Sequence, residues 1–201
     1  MITKILKYDA RFLFMALMLI SLPSFEALKN IFAFAFVLSW IYIAKRNNDW
    51  GGKWQTIDSI FLLWIIADLI ISMNAVITHQ LSGGGFNDVF RFVLIGWVLS
   101  RTYFTKVRLN QLILITLIGS LVSLAYSYYI DNGVLKELHS VGHINHTAIF
   151  LLIAYSFSLS LLLFDFKSLS KFQKYFLLVS TLSLLFATID TDSRASFGLL
   201  I

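Results

Sequence analysis

Long apolar runs, separated by connections that alternate between basic and nearly uncharged, constrain this chain more than any single motif. Two runs, Ile57 to Ile77 and Gln111 to Ile130, have the length of about twenty residues that a hydrocarbon core roughly 30 Å thick requires of a helix. Five more are shorter or interrupted: Phe12 to Phe25, Ala27 to Ala44, Gly85 to Ser100, Thr147 to Phe164 and Tyr175 to Ile189. With 58% hydrophobic and 13% charged residues and a mean hydropathy of +0.80, the chain carries more apolar surface than a water-soluble core hides. The expected architecture is all-α, a polytopic transmembrane helical bundle of about seven spans forming one membrane domain over residues 1–201. Gly85 to Ser100 carries Asn87, Asp88 and Arg91 in its first half, so this span is expected to enter the lipid late.

The basic residues give the threading. Lys4, Lys7, Arg11, Lys45, Arg46, Lys53, Arg101, Lys106, Arg108, Lys167, Lys171 and Lys174, twelve of the sixteen Lys and Arg, fall on alternate connections. Only Lys29, Arg91, Lys136 and Arg194 fall on the others. Short loops rich in Lys and Arg stay cytoplasmic, which predicts a cytoplasmic N-terminus and an outward-facing residue 190. Aromatic placement agrees: Trp40, Tyr42, Trp50 and Trp54 flank the first inner loop, and Tyr126, Tyr128 and Tyr129 end the fifth span, at the headgroup level that such rings favour. The net charge of +5 follows from these anchors and implies anionic membrane lipids as partners, with no nucleic acid.

The first helix resembles a signal peptide, but Ser24-Phe25-Glu26-Ala27 is a poor cleavage site, so an uncleaved helix is expected. The absence of cysteine excludes disulfides, thiolate metal sites and cysteine nucleophiles. Ala195 to Ile201 reads as the start of an eighth span, too short to cross the hydrocarbon. On that reading the sequence is the front part of a longer protein.

Inner connections carry charge anchors and amides but no constellation of carboxylates, histidines and glycines. Gly83-Gly84-Gly85 lies on the outer side and lacks the Lys and Ser or Thr of a nucleotide-binding loop, so a hairpin is expected there. The outer face is richer. His139, His143 and His146 are spaced so that a helix would line them up on one face, as a zinc site needs. Gly142 interrupts that helix and no carboxylate completes the set, so no metal is expected. The plainer role of His143, Asn145 and His146 is a polar cap, with Asn145 satisfying the first free N–H groups of a helix starting near Thr147. An outward-facing helix N-terminus also offers dipole and free amides to an anion such as phosphate. Arg194, beside Asp190, Asp192 and Ser193, has the donor fork that suits a diphosphate; an ion pair with either aspartate is its plainer role. Asp68 and Arg91 form a second couple, a buried pair or an ion path.

Gly142-His143-Ile144-Asn145-His146-Thr147-Ala148-Ile149-Phe150-Leu151 and Asp192-Ser193-Arg194-Ala195-Ser196-Phe197-Gly198-Leu199 together resemble the O-antigen ligase and polymerase family of bacterial envelope enzymes. The first stretch is similar to its Asn-x-x-Ala-x-x-Leu helix start, the second to its Ser-Arg-small entry to the next helix. The resemblance implies a glycosyltransferase of the bacterial inner membrane. It would move a glycan from undecaprenyl diphosphate to a lipid or glycan acceptor on the outer face, without metal, cofactor or nucleotide sugar. Arg194, with Arg91, would bind the diphosphate, and His143, Asn145 and His146 would line the substrate entrance. The family's catalytic histidine belongs to a large outer loop expected beyond residue 201, so this stretch alone would bind and not catalyse. Four residues after the arginine stands Gly198, with Leu199 fifth, which leaves ligase and polymerase both open. The rival readings are a secondary transporter or lipid-linked sugar flippase working through Asp68 and Arg91, and a non-catalytic remnant.

Overall fold

The computed structural model describes residues 9–79, 84–135 and 137–193. Among them are seven α-helices: α1 (Ala10–Ser21), α2 (Glu26–Asn47), α3 (Thr56–His79), α4 (Gly84–Ser100), α5 (Lys106–Ile130), α6 (Ile144–Phe164) and α7 (Lys171–Asp190), with a 3-10 turn at Phe166–Ser168. Five of them, α2, α3, α5, α6 and α7, are long and apolar enough to cross a membrane, while α1 and the apolar part of α4 are shorter. Large side chains such as Ile77, Leu63 and Phe164 stay exposed along these helices, a pattern compatible with a multi-pass membrane protein, whose outer surface meets lipid instead of water.

Helix ends differ from the apolar runs for local reasons. α1 stops at Ser21 and does not run through to Phe25, because Pro23 has no N–H to continue the ladder; a turn at Leu22 to Ser24 follows. α5 begins at Lys106, with the Thr105 side chain accepting from the Arg108 N–H, and α7 begins at Lys171 behind a capping box of Ser170 and Gln173. Their polar first turns extend past the apolar stretch. Gly84 and Gly85 open α4 where a hairpin is expected from sequence, and Gly83 lies outside the described residues.

The chain divides into two compact units, 1–32 with 105–201, and 33–104. In the first, α5 packs against α1, α6 and α7, and α6 pairs most extensively with α7. Thr116, Ser120, Ser123 and Ser127 form a buried stripe along α5, and Gly119 lets the backbone of α1 come in at Ile20. Small residues of this kind let helix backbones approach in a bilayer. Between α6 and α7, the buried Ser158 and Thr181 hydroxyls meet at 2.8 Å.

One end of this unit is tied by charge. Arg11 and Arg108 both reach Asp9, at 2.9 and 2.6 Å, and Asp165 accepts from Lys106 Nζ at 2.6 Å and Asn110 at 3.1 Å. Burial raises the Asp9 carboxyl, but the hydrogen bonds and charges of Arg11 and Arg108 outweigh it and hold the group below its ordinary value. Asp165 is lowered by its bond to Lys106, then by that to Asn110. A carboxyl with a depressed folded-state pKa stabilises the fold above its unfolded value of about 3.9 and loses that contribution as pH falls further. Thermal stability in detergent is therefore expected to be flat above about pH 5 and to fall below about pH 4. Arg108→Gln should shrink that acid-side fall; an equal fall in the variant would mean that Asp9 is not the group responsible.

In the second unit α3 packs against α4, and the loop from Asn48 to Gln55 is held by a buried cluster. Asp58, in the first turn of α3, is 1% exposed. It accepts from Arg101 Nε at 2.8 Å, Trp97 Nε1 at 2.8 Å and the Gln55 N–H at 2.6 Å, and Arg101 Nη2 closes a two-pronged ion pair with it. The remaining prong, Arg101 Nη1, donates to the carbonyls of Trp50, Gly51 and Gly52 at 3.3, 3.3 and 3.0 Å.

Candidate functional site

Residues 131–146 and the end of α7 build the polar end of the first unit. α5 ends with Asn132 and Gly133 at positive φ, and the Gly133 N–H returns to the Tyr128 carbonyl at 2.8 Å, a glycine-type helix stop. The chain then turns back over the bundle, burying Leu135 and Leu138 in the same cluster as Leu151 and Leu184. Thr147, wholly buried, accepts from the Leu138 N–H at 3.0 Å and donates to the Gly142 carbonyl at 3.2 Å. Ser140 joins the loop to α1 and α2: its N–H donates to the Pro23 carbonyl at 3.2 Å, and its carbonyl accepts from Lys29 Nζ at 2.7 Å. Leu138 and Ser140 thus tether the connection to α6 and to the α1–α2 turn.

The helix behind it starts at Ile144, earlier than the expected Thr147, and its cap is His143, whose Nδ1 accepts from the Asn145 N–H at 3.2 Å. The capping role expected of Asn145 is therefore corrected. Its side chain is free for a longer reach, and Asn145 Oδ1 accepts from Ser193 Oγ at 2.9 Å. Ser193 is 3% exposed. Close by in sequence, Asp190 at the end of α7 accepts from the Tyr128 hydroxyl at 2.7 Å. Arg194 itself lies outside the described residues, as do Lys136 and 195–201.

The three histidines do not share a helix face. His139 sits in the loop with its ring 5.8 Å from that of Tyr126, His143 caps the helix, and only His146 lies within it, 6.1 Å from the His143 ring. No group of three possible metal ligands gathers among the described residues. His143, Asn145 and His146 are all exposed, and the first turn of α6 gathers them at one helix N-terminus, where backbone N–H groups and helix dipole favour an anion.

Arg91 belongs to the other unit, on α4, with its guanidinium 5.4 Å from the Phe92 ring centroid. The Asp68–Arg91 pair suggested by sequence is not formed among the described residues: Asp68 Oδ2 is buried and has no hydrogen-bond partner. The aspartate that does pair is Asp58, with Arg101. In the sequence Arg101 reads only as a topological anchor and Asp58 draws no expectation; the available signal is a carboxylate at the second position of the apolar run Ile57 to Ile77, at the same end as an arginine.

No protein-family model, characterised protein or solved structure matches this chain.

Proposed function

We propose that this chain is a multi-pass inner-membrane protein of the O-antigen ligase and polymerase type, which holds an undecaprenyl diphosphate-linked glycan at its outer face for transfer to a lipid or glycan acceptor. Seven crossings with a cytoplasmic N-terminus put Asp9, Arg11, Lys106, Arg108 and Asp165 inside. The same threading puts Tyr128, Asn145, Asp190 and Ser193 outside. These two sets lie at opposite ends of α5 and α6, which supports that threading.

The observation that carries the functional reading is the 2.9 Å bond from Ser193 to Asn145. It joins the two stretches, far apart in sequence, on which the family resemblance rests. It also fixes the residue before Arg194 at the N-terminus of α6. In this reading the helix N-terminus and the Arg194 fork share the diphosphate, and His143 and His146 border the entrance.

Binding of undecaprenyl diphosphate to the purified full chain, compared with undecaprenol, tests this. The diphosphate should bind more tightly, and Arg194→Ala and Asn145→Leu should each weaken it towards the alcohol. Equal affinity for both lipids would overturn the proposal. The orphan carboxyl of Asp68 favours a second reading, ion-coupled transport; an ion-dependent uptake signal abolished by Asp68→Asn, with lipid binding absent, would select it.

A further inference from the structure

The cations on the inner connections divide into two kinds. Arg11 and Arg108 are spent on Asp9, Lys106 on Asp165, and Arg101 on Asp58. Lys45, Arg46 and Lys53 are exposed and form no ion pair among the described residues. Only one carboxylate stands in their loop, Asp49, and it is occupied in accepting the Gly51 N–H at 2.9 Å.

The loop from Asn48 to Gln55 carries Lys53 and follows directly on Lys45 and Arg46 in the last turn of α2, and it is clamped. Arg101 grips three consecutive carbonyls, at Trp50, Gly51 and Gly52, and Gly51 presses so closely on Arg101 that an added Cβ would lie 2.9 Å from its carbonyl oxygen. Gly51 and Gly52 have φ of 83° and 90°, a conformation that glycine adopts without strain. Two indoles stand in the same loop. Trp50, 47% exposed, has its ring 5.7 Å from the buried Trp40. Trp54, 61% exposed, is tied through Nε1 to Ser59 Oγ at 2.9 Å. Indoles settle at the headgroup level of a bilayer, where cations meet lipid phosphates.

We propose that this clamped loop is a preformed site for one anionic phospholipid, its phosphodiester headgroup held by Lys45, Arg46 and Lys53 between Trp50 and Trp54. Arg101 is a positioning residue, holding the loop that carries Lys53 and the two indoles. Lys167 and Lys171 are also exposed, but the short connection between α6 and α7 carries no tryptophan and its carboxylate Asp165 pairs with Lys106, so they attract anionic lipid only diffusely. The proposal rests on the membrane orientation given above and is independent of glycan transfer.

Native mass spectrometry of the full chain, released from detergent after titration with phosphatidylglycerol or phosphatidylcholine, reads the retained lipid directly. The wild type should keep one phosphatidylglycerol in preference to phosphatidylcholine. The triple variant Lys45→Gln, Arg46→Gln, Lys53→Gln should lose that preference by on the order of a hundredfold, about fivefold per cation near a charged surface. Lys167→Gln with Lys171→Gln should leave the retained lipid in place. Wild-type protein with no preference for the anionic lipid, or equal losses in the triple and the double variant, would overturn the site. Neither result bears on undecaprenyl diphosphate binding at the other face.

Discussion

Arg101→Ala is expected to be the most destabilising single substitution among those considered, costing about 3 to 5 kcal/mol, the range for breaking a buried ion pair from one side. The side chain is 7% exposed, and its removal leaves the Asp58 carboxylate buried with only the Trp97 and Gln55 donors. It also frees the carbonyls of Trp50, Gly51 and Gly52. Chemical denaturation in detergent, followed by the fluorescence of Trp40, Trp50 and Trp97, should show the loss. Arg101→Leu combined with Asp58→Leu should recover much of it, since replacing both partners by apolar groups removes the uncompensated charge. A double variant as unstable as Arg101→Ala would show that the carbonyl contacts, and not the ion pair, hold the loop.

Gly119→Val is expected to cost about 1 to 3 kcal/mol, the usual penalty for overpacking a tight contact. A Cβ at this position would lie 2.9 Å from the Ile20 carbonyl oxygen and 3.0 Å from Ile20 Cα, and backbone cannot swing aside as a flexible side chain can. Either α1 moves off α5 or the contact is lost. Ala at the neighbouring Ser120, also buried in α5, replaces a hydroxyl already bonded to the Thr116 carbonyl of its own helix at 2.8 Å, so it should cost much less. A thermal-shift series in which Gly119→Val and Ser120→Ala match would contradict the close approach of the two backbones.

The helices were legible in the sequence because apolar length alone reports a stretch that can fill a bilayer. Each of the seven expected runs corresponds to one helix. Their ends were less legible where polar first turns project past the apolar stretch, as Lys106 to Asn110 do in α5. Pro23 marked the end of α1 openly, and a reading by hydropathy alone ran through it. Contacts between distant residues left little trace. Asp58 and Arg101 stand 43 positions apart, and only the folded α3–α4 pair brings them together. The bond between Asn145 and Ser193 was foreshadowed only in that both lie in motif stretches. The polar cap of α6 is legible as His143, Asn145 and His146, but sequence gives the accepting role to Asn145, the commoner capping residue, where the structure gives it to His143.

Sidedness is the most direct test, because every functional statement requires residues 131–146 outside and the loop from Asn48 to Gln55 inside. These 201 residues contain no cysteine, so a single thiol introduced among them reports one position. In sealed right-side-out membrane vesicles, Val134→Cys, at a position 59% exposed, should react with a membrane-impermeant maleimide. Tyr103→Cys, at a position 83% exposed, should react only after the vesicles are opened. The reverse pattern would contradict the threading, and with it both the outer-face glycan reading and the inner-leaflet lipid site.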